Sequence, residues 1–272
     1  MKIWDAHMHC YFSGDSNASP VEMITQAKEL HLPGITFTDH LDIDYYRNPG
    51  EFDLDIPSYL SEINELSQSF ETEDFKIRCG IELGLQEHLV EEHKKLLETY
   101  HFHEVIGSIH QVQKEDPYYP EYLMHRDVKT AYQDYFDAIL SNIEAFHDFD
   151  TLGHLDYVKR YIIKSAGLDA DYAYQDYKEV IDEILKKLIR YDIALEINTG
   201  AFRHGLLDPN PGAEIIRRYL QLGGQMLTIG ADAHMPDHIA YGFDAIPPLL
   251  KNAGFTSYTV FENRKPIEVE LK

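Results

Sequence analysis

Short apolar runs alternate with longer amphipathic segments along most of the chain. The short runs include IWDAHMH, GITFTDH and GIELG, whose composition is typical of strands buried in a sheet. The longer segments, such as VEMITQAKELH and YKEVIDEILKKLIRY, repeat apolar residues at the spacing of one helix face. This alternation predicts a parallel sheet covered by helices. About seven strands precede the terminal segment, which favours a closed α/β barrel near the eight-stranded archetype over an open doubly wound sheet.

Local signals predict where helices begin and end. Ser19, followed by Pro20 and Glu22, forms a capping box at the start of the first helix. Gly34 and Gly254 each follow a helical pattern and are predicted to stop a helix at its C-terminal end.

Two wide insertions interrupt the alternation, at residues 41–57 and 111–128. Both are rich in Tyr, Asp and Pro, and both follow a strand that ends in histidine, so we expect them to cover a functional site. No glycine-rich fingerprint follows the first strand, which leaves the usual nucleotide ligands of an open sheet without a visible site. Because there is no internal repeat or linker, residues 1–272 are predicted to form a single domain.

The composition narrows the range of partners and compartments. Acidic residues outnumber basic ones by 47 to 24, a formal net charge of -23, and so acidic a surface disfavours nucleic acid as a partner. The sequence shows neither a leader pattern nor an apolar run long enough to span a membrane, so we expect a cytoplasmic protein without a membrane partner. Cys10 and Cys79 are expected to be free, buried thiols. The oligomeric state is left open.

Metal-type residues fall at the ends of six predicted strands. In chain order they are His7 and His9, Asp39 and His40, Glu82, His110, His154 and Asp156, and Asp232 and His234. His7 and His9 lie two residues apart on one strand, so both imidazoles point to the same side. Because the C-terminal ends of parallel barrel strands converge on one face, we predict a multinuclear metal site there.

The segments that carry these residues are HMH, TDH, GIEL, GSIH, GHLD and ADAH. They resemble, in order and over the whole chain, the motifs of the PHP (polymerase and histidinol phosphatase) superfamily. The resemblance implies a distorted (β/α)7 TIM-like barrel that binds about two to three divalent metal ions, with zinc expected and manganese or iron as alternatives.

The resemblance also implies which residues hold each ion. The three ligand sets are His7, His9, Glu82 and Asp232 for the first ion, Glu82, His110 and His154 for the second, and Asp15, His40 and His234 for the third. Asp15 departs from members of the superfamily that carry histidine at this position. Carboxylate and imidazole are both suitable zinc ligands, so we still expect the third ligand set to exist. Whether an ion occupies it is left open by the sequence.

Clustered divalent cations suit hydrolysis, since they activate water and neutralise charge on phosphoryl oxygens. Amidohydrolase-type enzymes use similar metals but typically carry a strand-end lysine where this chain has Glu82 and His110, so phosphoester hydrolysis is favoured. The resemblance implies a metal-dependent phosphomonoester hydrolase, with L-histidinol phosphate as the expected substrate. Another small phosphomonoester or a nucleotide, and a metal-binding protein without activity, are the alternatives.

Substrate contacts are predicted from residues beside the strand ends. Arg160 and Arg203 lie just past two strands and, by resemblance, are expected to clamp the phosphate. The ammonium group of the expected substrate calls for a carboxylate, and the candidates on the two wide insertions are Asp42, Asp44 and Glu115.

The predicted catalytic residues are Glu82, Asp232 and His234. Glu82 would bridge two metal ions and fix their shared water. The sequence leaves the proton donor to the leaving group open, with Asp232 or His234 placed to assist if metal does not occupy them fully.

The remaining acids and histidines are given supporting roles. Asp5, Asp39 and Asp156 are expected to orient metal-bound histidines, which usually need a partner on their second nitrogen. The histidines predicted to be solvated or structural are His31, His88, His93, His101, His103, His125 and His147. His204 and His238 lie close to motif segments, but we expect them outside the site.

Overall fold

The computed structural model describes residues 3–271. Within them, nine short parallel strands precede an antiparallel C-terminal hairpin. The parallel strands are β1 (Asp5–Met8), β2 (Gly34–Phe37), β3 (His40–Leu41), β4 (Lys76–Cys79), β5 (Ile81–Gly84), β6 (Val105–Ser108), β7 (Thr151–Leu152), β8 (Ala194–Asn198) and β9 (Leu227–Gly230). The hairpin is formed by β10 (Ser257–Glu262) and β11 (Lys265–Glu270).

The parallel strands occupy seven positions of a closed barrel. β1, β2 and β4 form one sheet, and β3, β5, β6, β7, β8 and β9 form another. Only two residues separate β2 from β3 and one separates β4 from β5, so each of these pairs fills a single position. The seam between β9 and β1 is closed by a bridge between Met8 and Ala233 and by the His9 N–H, which donates to the Ala233 carbonyl at 2.8 Å. The predicted distorted (β/α)7 barrel is confirmed, and the open sheet is excluded.

Helices connect the strands and pack on the barrel. They are α1 (Pro20–Glu29), α2 (Ile56–Phe70), α3 (Val90–Thr99), α4 (Glu121–Met124), α5 (Val128–Ala145), α6 (Val158–Ala166), α7 (Lys178–Arg190), α8 (Gly200–Arg203), α9 (Ala213–Gln221) and α10 (Ile246–Ala253). Their buried apolar faces join the strands in one contiguous core. The burial of this apolar surface is the main stabilising contribution to the barrel.

The helix ends test the capping predictions. The capping box of α1 is confirmed, because the Val21 N–H donates to Ser19 Oγ and the Ser19 N–H donates to Glu22 Oε2. Gly254 ends α10 at φ 106°, in the left-handed region that favours glycine. The prediction for Gly34 is wrong.

Gly34 begins β2, whereas α1 already ends at Glu29. Its lack of a side chain serves packing instead: a Cβ at this position would lie 2.1 Å from the Trp4 ring.

The C-terminal hairpin was not anticipated from the sequence. It packs near the end of the barrel at which the strands begin: Arg78 of β4 donates to the Phe261 carbonyl at 2.7 Å, and the Trp4 N–H donates to the Tyr258 hydroxyl at 3.1 Å. The opposite end of the barrel is therefore left to the loops that follow the strands.

Two further sequence predictions concern cysteines and membranes. Cys10 and Cys79 are buried and free, as predicted. None of the helices in residues 3–271 combines the length and the apolar character needed to cross a membrane.

Candidate metal centre and substrate cavity

The first predicted ligand set lies where β1 and β9 end. The Nε2 atoms of His7 and His9 are 3.1 Å apart. Glu82 Oε2 lies 3.2 Å from His7 Nε2 and 3.5 Å from His9 Nε2, and Asp232 Oδ1 lies 3.5 Å from His9 Nε2. All four side chains are buried. The fold thus brings together the four residues that the sequence assigned to the first ion.

Glu82 also belongs to the second set, through its other oxygen. Oε1 lies 3.0 Å from His154 Nε2 and 3.3 Å from His110 Nε2. The Ser108 hydroxyl donates to the same oxygen at 2.6 Å, which fixes the orientation of the carboxylate. Glu82 stands between two clusters of imidazoles, one on each oxygen, which is the geometry that a bridging carboxylate requires.

The third set is assembled as well, but it is more open. Asp15 Oδ2 lies 3.0 Å from His234 Nε2 and 3.7 Å from His40 Nε2, and the Asp15 side chain is 41% exposed. His9 joins this group: its ring stacks on those of His40 and His234, each at a centroid distance of 4.2 Å, and donor atoms of the three histidines lie within 4.8 Å of one another. His9 therefore faces both the first and the third set.

The donor atoms fit divalent cations. Glu82 Oε2 and His40 Nδ1 are buried, and neither has a hydrogen-bond partner within residues 3–271, although they face each other at 3.0 Å. Leaving buried polar atoms unpaired costs free energy, and a coordinated cation removes that cost. Imidazole nitrogens combined with carboxylate oxygens are the donors that zinc takes in proteins.

Opposite charges share this buried site. Burial would raise the pKa of Glu82, but three neighbouring histidines, His7 foremost, outweigh it and hold that pKa well below its ordinary value. Burial would lower the pKa of His7, but the carboxylates of Glu196 and Glu82 outweigh it and raise that pKa well above its ordinary value. A proton and a cation cannot share the same nitrogen of His7, so metal binding by this ring would displace a proton.

Glu196 is a functional residue that the sequence reasoning missed. It is 1% exposed in the middle of β8. Its Oε1 accepts a hydrogen bond from His7 Nδ1 at 2.6 Å, and its Oε2 accepts one from the His154 N–H at 2.6 Å. One carboxylate thus orients a ligand of the first ion and a ligand of the second. The sequence did contain a signal for Glu196. In the segment EINTG it lies two residues before Asn198, the same spacing as that of His7 and His9, so the two side chains point to the same side of the strand.

Asp42 was predicted to bind substrate, but the structure pairs it with a metal ligand. It is 3% exposed, and its Oδ1 accepts a hydrogen bond from His110 Nδ1 at 2.8 Å. Gly84 makes this position possible, because a Cβ there would lie 2.0 Å from Asp42 Oδ1. Asp42 therefore lines the cavity while its carboxylate orients His110.

The acids that were expected to orient imidazoles support loops instead. Asp39 accepts hydrogen bonds from the Cys10 N–H and the Ser13 hydroxyl, so it reaches the ligand His9 only through Ser13. Asp5 accepts from the Ala231 and Ala240 N–H groups, and Asp156 accepts from Asn210 and Tyr172. The carboxylates that accept a hydrogen bond from Nδ1 of a predicted ligand ring are Glu196, from His7, and Asp42, from His110.

Arg160 and Arg203 flank the end of β9. Arg160 is 3% exposed and donates from Nη1 to Asp232 Oδ2 at 2.9 Å and from Nη2 to Asn198 Oδ1 at 2.6 Å. Arg203 donates from its two Nη atoms to the carbonyls of Ala231 and Asp232, at 2.6 and 2.7 Å. Both guanidinium groups line the cavity next to a metal ligand, where the sequence predicted phosphate-binding groups.

A cavity of about 640 Å³ opens over the ligand sets. Its wall includes His204 and His238, so the expectation that these two lie outside the site is wrong. The seven histidines that were predicted to be solvated or structural do not line the cavity. One of them, His93, is 1% exposed and is therefore a structural histidine.

Two acids predicted to bind substrate also lie elsewhere. Glu115 forms an ion pair with Arg126, and Asp44 lies 3.0 Å from the exposed His88. Neither contributes to the cavity wall, whereas the neighbouring Asp116 does. The choice among the acids of the two insertions depended on contacts that span the two loops, which sequence spacing does not reveal.

The chain is similar in sequence to proteins of the PHP domain family and to histidinol-phosphatases. The model of the PHP domain family matches residues 5–200. The chain is 32% identical to a probable histidinol-phosphatase of Clostridium acetobutylicum, over 99% of this chain and 98% of the relative. It is 31% identical to the histidinol-phosphatase of Lactococcus lactis subsp. lactis, over 97% of this chain and 96% of the relative.

Solved structures show the same architecture. The histidinol phosphate phosphatase of Lactococcus lactis subsp. lactis, in complex with zinc, L-histidinol and phosphate, superposes with a TM-score of 0.86 at 30% identity and covers 98% of this chain and 99% of its own. A protein of Listeria monocytogenes superposes with a TM-score of 0.78 at 19% identity, over 89% of this chain and 99% of its own, which supports the fold alone.

Proposed function

The chain belongs to the PHP domain family, and from that premise we propose that it is a histidinol-phosphatase, which hydrolyses L-histidinol phosphate to L-histidinol and phosphate. Glu82 carries the chemical part of the argument. One buried carboxylate faces two clusters of imidazoles, and His110 and His154, which contact it, line a cavity whose wall also includes two arginines. Similarity over nearly the full length to histidinol-phosphatases supports the substrate.

Two to three divalent ions are proposed for the centre, with zinc as the first candidate. The first would be held by His7, His9, Glu82 and Asp232, the second by Glu82, His110 and His154, and the third by Asp15, His40 and His234. When bound, the ions supply Lewis-acid activation of water and neutralise charge on the phosphoryl oxygens. The more open third set is the one expected to lose its ion first.

The arginines are proposed to bind the phosphate. Arg160 uses three of its five N–H groups on Asn210, Asp232 and Asn198, and it lines the cavity together with Arg203. Arg160 also anchors Asp232, so phosphate binding and ligand geometry depend on the same side chain. A planar guanidinium matches phosphate oxygens in a way that an ammonium cannot.

His234 is the better of the two predicted proton donors. Burial would raise the pKa of Asp232, but the hydrogen bond from His9 and the nearby His7 and Arg160 outweigh it and hold that pKa well below its ordinary value, so Asp232 stays ionised. Burial would lower the pKa of His234, but Asp15 outweighs it and raises that pKa, so Nε2 can carry a proton at neutral pH. We propose that this proton goes to the leaving oxygen when the third ligand set holds no ion, since Nε2 cannot hold a proton and a cation at once.

A phosphate-release screen with the metal-loaded protein tests the proposal. The substrates are L-histidinol phosphate, glycerol phosphate, a nucleoside monophosphate and 4-nitrophenyl phosphate. L-histidinol phosphate should give the highest kcat/KM, and removal of metal with a chelator should abolish release for all four. A preference for another substrate by the wild-type protein would contradict the assignment. Amide hydrolysis is disfavoured, because no lysine lines the cavity within residues 3–271.

A further inference from the structure

Five acidic side chains line the cavity: Asp15, Asp42, Glu51, Asp116 and Asp232. Three of them, Asp15, Asp42 and Asp232, each lie within 3.0 Å of a histidine or arginine nitrogen. Glu51 is exposed. Asp116 differs from all four, because it is partly buried and forms no ion pair with any Lys, Arg or His within residues 3–271. The proposed mechanism leaves its negative charge unused.

Neutral donors hold the Asp116 carboxylate in place. The Tyr45 hydroxyl donates to Oδ2 at 2.6 Å, and the Tyr118 N–H donates to Oδ1 at 2.7 Å. Burial and the nearby carboxylate raise the pKa of Tyr45, so its hydroxyl remains a donor. Each carboxylate oxygen keeps acceptor capacity, since an ionised carboxyl can accept about four hydrogen bonds. The group is therefore oriented but not saturated.

Aromatic rings connect Asp116 to the metal centre. The ring of the metal ligand His110 contacts Tyr157 at a centroid distance of 5.7 Å, Tyr157 contacts Tyr161 at 4.9 Å, and Tyr161 contacts Tyr118 at 5.3 Å. The faces of such rings attract cations, and their bulk excludes water. Burial also raises the pKa of Asp116, which a bound cation would reverse.

We infer that Asp116, with its wall of tyrosines, forms the subsite that binds a cationic nitrogen of the substrate and so selects it among phosphomonoesters. The inference rests on the proposed function. L-histidinol phosphate carries its phosphate at one end and two nitrogen groups that can be cationic, an ammonium and an imidazole, farther along. Arg160 and Arg203 bind the anionic phosphate end of the substrate, and Asp116 binds its cationic end.

Asp116→Asn tests the inference, with Glu115→Gln as a matched control from the adjacent position outside the cavity wall. Asp116→Asn should raise KM for L-histidinol phosphate on the order of ten- to a hundredfold, the cost of losing a charge-assisted contact, with kcat changed by less than about threefold. Inhibition by L-histidinol should weaken by a similar factor. Turnover of 4-nitrophenyl phosphate, which has no cationic nitrogen, should stay within about twofold of wild type. Glu115→Gln should alter neither substrate's KM.

Equal losses on both substrates, or an unchanged KM for L-histidinol phosphate, would overturn the subsite. If Asp116→Asn fails to fold, Tyr45→Phe provides the second variant. It removes only the hydroxyl that orients Asp116 and should raise KM for L-histidinol phosphate about threefold, as expected for one neutral hydrogen bond, with no effect on 4-nitrophenyl phosphate. An equal effect on both substrates would again reject the inference.

The same variant distinguishes the two nitrogen groups. Phosphoethanolamine carries an ammonium but no imidazole, and a desamino analogue of L-histidinol phosphate carries the imidazole alone. Loss of turnover by Asp116→Asn on the first assigns Asp116 to the ammonium, and loss on the second assigns it to the imidazolium. Loss on neither rejects the subsite. A wild-type protein that does not prefer L-histidinol phosphate refutes the proposed function itself, whereas a preference that survives Asp116→Asn refutes the subsite alone.

Discussion

Glu82 and Glu104 are the same residue type at the same depth, 0% exposed, at opposite ends of one barrel. The pKa of Glu82 is held well below its ordinary value, whereas burial, together with nearby Asp150 and Glu196, raises the pKa of Glu104 to about 8. Glu82 is therefore an anion at neutral pH, and Glu104 is largely protonated. Burial alone pushes both pKa values upward, so the neighbours decide the difference.

The neighbours differ because the two ends of the barrel differ. Glu82 faces imidazoles delivered by several strand ends, and Ser108 donates to it. Glu104 precedes β6, accepts one hydrogen bond from Thr151 Oγ1 at 2.7 Å, and its Oε2 has no partner within residues 3–271. A buried carboxylate can stay charged where cations converge and takes up a proton where they do not.

The largest effect is expected from removing the charge of Glu82. Glu82→Gln should lower kcat/KM for L-histidinol phosphate by about a thousandfold or more and lower the metal content, because the bridging position loses its negative charge. Steady-state kinetics and elemental analysis measure both. Glu104→Gln is the matched control at the other end and should keep turnover within about twofold. Near-normal activity of Glu82→Gln would remove the bridging role.

Arg160 supplies the fixed cation of the catalytic end. Arg160→Lys keeps a positive charge but loses the forked contacts to Asp232 and Asn198, so kcat/KM should fall about a hundredfold, and by a similar factor for every phosphomonoester. Arg218→Lys is the control: Arg218 makes a forked contact to Asp182 outside the cavity wall, so this change should leave turnover within about twofold of wild type. A loss of kcat/KM for one substrate alone would show that Arg160 contacts the leaving group rather than the phosphate.

Glu196 contacts His7 and the backbone of His154, and it should act on metal binding through His7. Glu196→Ala should weaken zinc binding about ten- to a hundredfold, the usual cost of losing the partner of a ligand histidine. Glu196→Gln should be milder, because its amide oxygen can still accept from His7 Nδ1. Competition with a chelator of known affinity gives the measurement. Identical zinc affinity in wild type and Glu196→Ala would show that His7 needs no orienting partner.

The smallest effect concerns stability at the other end. Because the pKa of Glu104 is raised to about 8, the unfolded chain loses this proton at lower pH than the native protein, so the side chain destabilises the fold increasingly as pH rises through that interval. Glu104→Gln should therefore gain about 1–3 kcal/mol relative to wild type between pH 5.5 and 8.5. Urea unfolding of both proteins at the two pH values measures the difference. A difference that does not change with pH would mean that Glu104 is ionised when buried.

Much of the site could be predicted because its signals are local. The spacing of His7 and His9 places both imidazoles on one side of a strand, and the alternation of strand and helix brings strand ends to one face. The side chains of the ligand sets therefore converge as expected. The cap at Ser19 and the stop at Gly254 were likewise encoded within a few residues.

Other features depended on residues far apart in the chain. The sequence pattern predicts a helix stop at Gly34, but the position needs glycine because the Trp4 ring packs against it. The C-terminal hairpin packs on the barrel through contacts with Trp4 and Arg78. Sequence spacing could not separate Glu115 from Asp116, because Arg126 engages the first and Tyr45 orients the second.

The sequence by itself determined the barrel, the metal-type residues and the face on which they meet, since strand and helix periods are properties of the local backbone. The tertiary structure alone decided which carboxylate serves which role. Asp42 and Glu196 accept hydrogen bonds from His110 and His7. The pKa of Glu82 is lowered, so it is an anion, whereas the pKa of Glu104 is raised, so it is largely protonated at neutral pH. The charge and contacts of a buried acid depend on the nearest charges and donors in space, and strands distant in sequence supply them.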